Sequence, residues 1–170
     1  YLKDSLIIST PAAKALKEIQ TKLMLSGLSL KIFDAYRPQQ AVDHFVRWAK
    51  VMNDTLMKQL YYPDVEKSEL FTLGFIASKS GHTRGSTVDL TIVDIKTNKE
   101  IDMGSAYDFF GEKSHPSYKN ITEKQKGNRT AYLTSTCNIF SLPINPLFTF
   151  NVSANNWLFN NLIRPFTDIL

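Results

Sequence analysis

Cysteine is almost missing from this chain: Cys137 stands alone among 170 residues. That excludes an internal disulfide framework and any Cys-rich zinc finger. Histidine is scarce too, with only His44, His82 and His115. No apolar run reaches the roughly 18 residues that a membrane-spanning helix needs, so no membrane span is expected. Seven Gly and seven Pro exclude collagen-like and linker-like chains. The sequence begins at Tyr1 with no basic-then-apolar leader, so no signal peptide is expected within it.

What is present has the balance of a globular domain. Hydrophobic residues make up 43% and charged residues 21%, enough apolar material for one real core. The net charge is +4 and the pI about 9.1. Lys and Arg are nevertheless scattered singly, without a stripe interleaved with aromatics, so no nucleic-acid partner is expected. The last 42 residues carry only Arg129, Arg164 and Asp168 as charges. That leaves residues 130–170 as an atypical low-charge segment, read either as a buried C-terminal strand pair or as a stretch foreign to the rest of the domain.

Hydrophobic spacing outlines the elements. Thr10-Pro11 reads as an N-cap and first helical residue, and Ala15, Leu16, Ile19 and Leu23 recur at helical spacing up to Gly27. Leu28, Leu30 and Ile32 alternate as a half-buried strand over 28–33. After Arg37-Pro38 a second helix spans 39–52, with Val42, Phe45, Val46 and Ala49 on one face. Residues 53–70 read as an irregular excursion, 90–93 as a short strand turned back at Thr97-Asn98 toward Ile101, and 122–133 as a helix. Helices and strands mix without a βαβ rhythm. The expected fold is therefore α+β, a single compact domain over 1–170 with a small, mainly antiparallel sheet flanked by helices.

The chemistry concentrates in Ser80-Gly81-His82-Thr83-Arg84-Gly85-Ser86-Thr87-Val88-Asp89. His82 and Asp89 can meet at one metal ion if the chain turns between them, and Gly85 permits such a turn. Imidazole nitrogen plus carboxylate oxygen is a zinc-type donor mix. Alone, the pair reads more readily as a loop histidine bonded to a turn aspartate than as a metal site. Cys137 has no histidine in a pairing pattern, which favours a buried thiol over a nucleophile.

The pattern Ser80-x-His82-x-x-Gly85-x-x-x-Asp89 resembles the zinc signature of the D-alanyl-D-alanine dipeptidases of the VanX type, among the zinc peptidases that cleave peptidoglycan. Asp34-Ala35-Tyr36-Arg37-Pro38, Ala41-Val42 and the stretch from Asp102-Met103-Gly104 through Asp108 to His115 resemble the same family in the same order. The resemblance covers about residues 1–129. It implies a bacterial enzyme of cell-wall metabolism, in cytoplasm or periplasm, that hydrolyses the D-Ala-D-Ala dipeptide with Zn2+. It implies His82 and Asp89 as zinc ligands and Arg37 as the catalytic cation that stabilises the oxyanion. Ser80 would lie near the substrate carboxylate, and Asp108 would receive its free amino group. Tyr107 and Phe109-Phe110 read as core packing.

The family's C-terminal Glu-x-x-His element, which supplies a general base and the third zinc ligand, has no counterpart here. No His follows His115 and no Glu follows Glu123. Against the family the chain also reads as N-terminally incomplete. His115, Cys137 and Asp168 are the substitutes to consider for the third ligand, with His44 an ordinary helix histidine. Three functions compete: the dipeptidase; a non-catalytic relative that acts as a binding module; and a zinc DD- or LD-carboxypeptidase on longer peptidoglycan peptides. A free-amine requirement at Asp108 separates the first from the third, and metal content the first from the second.

Overall fold

The computed structural model describes residues 6–115 and 117–130, and the backbone of 149–152. Helix α1 (Thr10–Met24) buries Ala12, Ala15, Leu16, Ile19 and Leu23 along one face, as their spacing predicts. Each of the larger three contributes about 1.5–3 kcal/mol by leaving water. The N-cap is Ser9, one residue earlier than expected. Its amide donates to the Gly85 carbonyl at 2.7 Å, a tertiary bond that local pattern does not encode. The chain then turns at Gly27 into strand β1 (Leu28–Asp34).

Helix α2 (Gln39–Lys50) buries Val42 and Ala49, but Phe45 from the expected apolar face is 46% exposed. Its ring faces the Arg37 guanidinium, 5.3 Å from the centroid. The excursion after α2 holds a single helical turn, α3 (Lys58–Tyr61), and the buried Tyr62. Strand β2 (Thr87–Asp94) is longer at both ends than its β-branched centre suggests, and every residue from Thr87 to Val93 is buried. Asn98 adopts the left-handed conformation of a turn, and Ile101 returns to donate to the Ile92 carbonyl. A further helix begins at residue 123 and is described through 130.

The sheet runs β1-β2-β3, with β3 at Thr149–Val152. The longer pairing, β1 with β2, is antiparallel, and the shorter one, β2 with β3, is parallel. Strand alternation divides β2 between two tasks. Val88, Leu90 and Ile92 join Leu16, Ile19 and Leu23 of α1 and Met103 in the main core, while Thr87, Asp89 and Thr91 occupy the alternate positions. A second cluster, Ala49, Tyr62, Val65, Leu70 and Ile76, packs under α2. The α+β architecture expected from the sequence is the one found. Of the low-charge segment 130–170, only residue 130 and the backbone of β3 fall among the described residues.

Candidate metal centre

A register shift between Ile32 and Asp34 starts the site. Ile32 pairs with Leu90, yet Asp34 pairs with Asp89, so Phe33 bulges out of the ladder. Such a bulge re-aims side chains, and here it sets two aspartates opposite one another. Their repulsion is answered by Arg37. Its Nε and Nη2 donate to Asp34 Oδ2 at 2.8 and 2.5 Å, and Nη2 lies 3.6 Å from Asp89 Oδ2. Burial opposes the guanidinium charge, but Asp34 and then Asp89 outweigh it and its pKa is raised.

His82 enters from a 3-10 turn, Gly81–Arg84. Ser80 caps that turn by accepting from the His82 amide at 3.3 Å, and Gly85 ends it with φ 67°. A residue with a Cβ is strained at that φ, which is the physical reason for glycine there. The turn is stitched to the loop after β1: the Arg37 amide donates to the His82 carbonyl at 3.2 Å. His82 Nδ1 lies 2.5 Å from the Ala35 carbonyl. A carbonyl only accepts, so Nδ1 carries the proton and Nε2 is the nitrogen turned to Asp89.

His82 Nε2 stands 3.3 Å from Asp89 Oδ1, with both side chains 3% exposed. Among the described residues Asp89 Oδ1 is a buried oxygen without a hydrogen-bond donor. Asp34, His82 and Asp89 each place a ligand atom within 4.8 Å of the others. Within that trio the donors divide. Asp34 is committed, its Oδ2 to Arg37 and its Oδ1 to the Ala35 amide at 2.8 Å, and it approaches His82 on the Nδ1 side, at 3.9 Å. His82 Nε2 and Asp89 Oδ1 converge instead. Two ligand atoms each about 2.0–2.1 Å from one tetrahedral ion stand about 3.3 Å apart, so the pair has the spacing a zinc-sized cation requires.

Asp108 joins the site electrostatically. Its φ of 56° is left-handed, a conformation that aspartate tolerates better than most residues. Burial first, and Asp89 next, push its carboxyl up to about 6, with Arg37 opposing. Ser80 is half-buried at the head of the histidine turn. Two residues given no role from the sequence also belong here. Asp34 holds Arg37 from three residues upstream, a spacing already visible in Asp34-Ala35-Tyr36-Arg37. Tyr107, read as core packing, does stack on Phe33, but its hydroxyl donates to Asp89 Oδ2 at 3.2 Å. Of the substitutes considered for a third ligand, His115 does not gather here. His115 packs near Phe75 and is outside the trio, His44 is exposed on α2, and Cys137 and Asp168 lie outside the described residues.

A peptidase family model described as D-ala-D-ala dipeptidase matches residues 2–139. This chain belongs to that family. It is 46% identical over 124 residues to a D-alanyl-D-alanine dipeptidase of Enterococcus faecalis, covering 72% of this chain and 61% of that protein. The corresponding dipeptidase of Enterococcus faecium is 37% identical over 129 residues, 76% of this chain and 64% of the relative. That of Escherichia coli is 32% identical over 129 residues, 76% of this chain and 57% of the relative. The chain thus spans about three fifths of the length of the curated relatives it matches. The family is one of metal-dependent hydrolases, in keeping with the donor group in the structure. Among the described residues, no helix is long and apolar enough to cross a membrane.

Proposed function

We propose that this site is the zinc-binding, oxyanion-stabilising centre of a dipeptidase that hydrolyses D-Ala-D-Ala in bacterial cell-wall metabolism. The observation that carries the reading is the facing pair, His82 Nε2 and Asp89 Oδ1 at 3.3 Å, beside a guanidinium held by two bonds to Asp34. His82 and Asp89 would hold the ion, which when bound supplies Lewis acidity toward a carbonyl and makes water nucleophilic near neutral pH. Arg37 places fixed positive charge where negative charge develops on the attacked carbonyl oxygen. Asp108, as carboxylate, receives the ammonium of a free amino terminus, and the Ser80 hydroxyl donates to the carboxylate at the other end. A dipeptide presents both charges at short range, which favours it over longer peptides.

A second reading is favoured by one observation, the lack of any His after His115 or Glu after Glu123. The two donors that converge among the described residues are one short of the three that catalytic zinc sites supply. A missing proton acceptor costs a further factor of roughly 10²–10⁴ in rate. In its 170-residue form the chain is therefore expected to bind zinc with micromolar or weaker affinity. Its release of D-Ala from D-Ala-D-Ala should stay below about 1 s⁻¹, the low end of ordinary enzymes. Zinc titration with a D-Ala release assay tests this. Tight stoichiometric zinc with faster turnover would mean that residues outside the described set complete an active dipeptidase. Specific dipeptide binding without turnover would make the chain a binding module.

A further inference from the structure

We propose that Tyr107 is a positioning residue for the metal centre: its hydroxyl fixes the Asp89 carboxylate so that Oδ1 is presented beside His82. The inference rests on the metal reading above and deepens it. The two oxygens of Asp89 have unlike surroundings. Oδ2 accepts from the Tyr107 hydroxyl at 3.2 Å and has Arg37 Nη2 at 3.6 Å. Oδ1 has no donor among the described residues and faces His82 Nε2 at 3.3 Å. A partial rotation about the Cβ–Cγ bond would swing the unbonded oxygen away from His82, and a donor held on the other oxygen fixes the carboxylate plane against that rotation. Arg37 serves this purpose poorly, because its Nε and Nη2 are both engaged by Asp34.

The phenol is well held for the task. Its ring stacks on Phe33 with centroids 4.2 Å apart and planes within 11°. Phe33 is the bulged residue whose displacement also brings Asp34 opposite Asp89, so one backbone irregularity sets both neighbours of the metal ligand. The left-handed φ of Asp108 breaks the strand-like alternation that would send consecutive side chains to opposite faces. Tyr107 and Asp108 can thereby both serve one site. A phenol is an O–H donor at ordinary pH without any special environment. A neutral donor orients a carboxylate without cancelling the charge that attracts a cation. Hydrogen bonds of this kind to a metal-binding side chain typically carry a factor of about 10–100 in metal affinity.

Tyr107→Phe keeps the stacked ring and removes only the hydroxyl. With the full chain, chelator competition should show Zn2+ bound about 10–100-fold more weakly in the variant than in the wild type. The visible spectrum of the Co2+ form should change as well, which a purely structural role would not require. Phe33→Leu leaves the hydroxyl but removes its stacking partner, and a smaller loss of Zn2+ affinity is expected. It also keeps the idea testable if Tyr107→Phe fails to fold. Wild-type affinity and an unchanged Co2+ spectrum in a folded Tyr107→Phe, or undiminished affinity in Phe33→Leu where that is the variant available, would overturn the role of Tyr107 and leave the metal centre standing. No metal uptake by the wild type would overturn both.

Discussion

Arg37 lies between two carboxylates that the sheet register has set side by side. Its Nε and Nη2 both donate to the single oxygen Oδ2 of Asp34, which fixes the plane of the guanidinium, while 22% exposure of the side chain leaves an edge accessible. Lysine can match the charge but not the fork. Arg37→Lys should therefore keep the fold while lowering any turnover of D-Ala-D-Ala by roughly 10²–10³. It should also weaken a tetrahedral phosphinate isostere of the dipeptide more than the dipeptide itself, because the lost interaction belongs to the transition state. Equal loss for both ligands, measured by titration of the zinc-loaded chain, would assign Arg37 to ground-state binding. Arg37, His82 and Asp89 stand out in the sequence because their motifs are contiguous. Asp34 and Tyr107 do not, since their roles arise from contacts made across a sheet bulge. Nothing in Tyr107-Asp108-Phe109-Phe110 distinguishes a packed ring from a packed ring whose hydroxyl reaches a carboxylate.

The segment bearing Tyr107 and Asp108 has no regular structure to hold it except a single 3-10 turn at Glu112–Ser114. A buried arginine does so instead. Arg129, 6% exposed, donates through Nε to the Met103 carbonyl at 2.6 Å, through Nη1 to His115 at 3.0 Å and through Nη2 to Lys113 at 2.7 Å. These acceptors lie at the two ends of the segment, so one side chain closes it like a clasp. Gly104 is part of the same device: its φ is 85°, and a Cβ there would come within 3.1 Å of Ile121 and 3.4 Å of the Arg129 guanidinium. Arg129→Met preserves much of the volume but removes the guanidinium bonds to three carbonyls, of which that of His115 keeps the Tyr118 amide at 3.1 Å. A loss of about 2–4 kcal/mol in unfolding free energy is expected, together with faster amide exchange across residues 103–115. Denaturant unfolding and hydrogen exchange check the two effects separately. The helix carrying Arg129 is readable from spacing, as are α1, α2 and the centre of β2. The clasp is not, because an isolated arginine near the start of a charge-poor stretch looks like a surface residue until its acceptors are known. Phe45 fails the other way: helical spacing puts it on the apolar face, yet the neighbouring Arg37 guanidinium leaves it an exposed cationic neighbour instead of a core.

At the scale of the whole molecule, the charge distribution is inverted between surface and site. The chain is basic, at +4, yet the site gathers Asp34, Asp89 and Asp108 around one arginine. That arrangement suits a bound cation and strains the metal-free fold, and Asp108 records the strain in its carboxyl, pushed up to about 6. A carboxyl whose folded pKa lies above the unfolded value of about 3.9 holds its proton more tightly in the folded state. Its contribution to stability is then full below about pH 4 and is lost as pH rises through about 6, since the unfolded chain ionises first. Asp108→Asn removes this titration and keeps a residue that accepts the left-handed backbone. In metal-free protein the variant should therefore gain stability relative to the wild type as pH climbs from about 4 to 6, and hold a constant advantage above that. Chemical denaturation of both proteins at half-unit pH steps measures the difference directly. A gap that stays flat from pH 4 to 7 would mean that Asp108 is solvated in the folded chain. A widening gap would mean that the fold gives up stability to hold an ionised carboxylate beside Asp89, the trade-off expected where a site is built for binding before the fold's own ease.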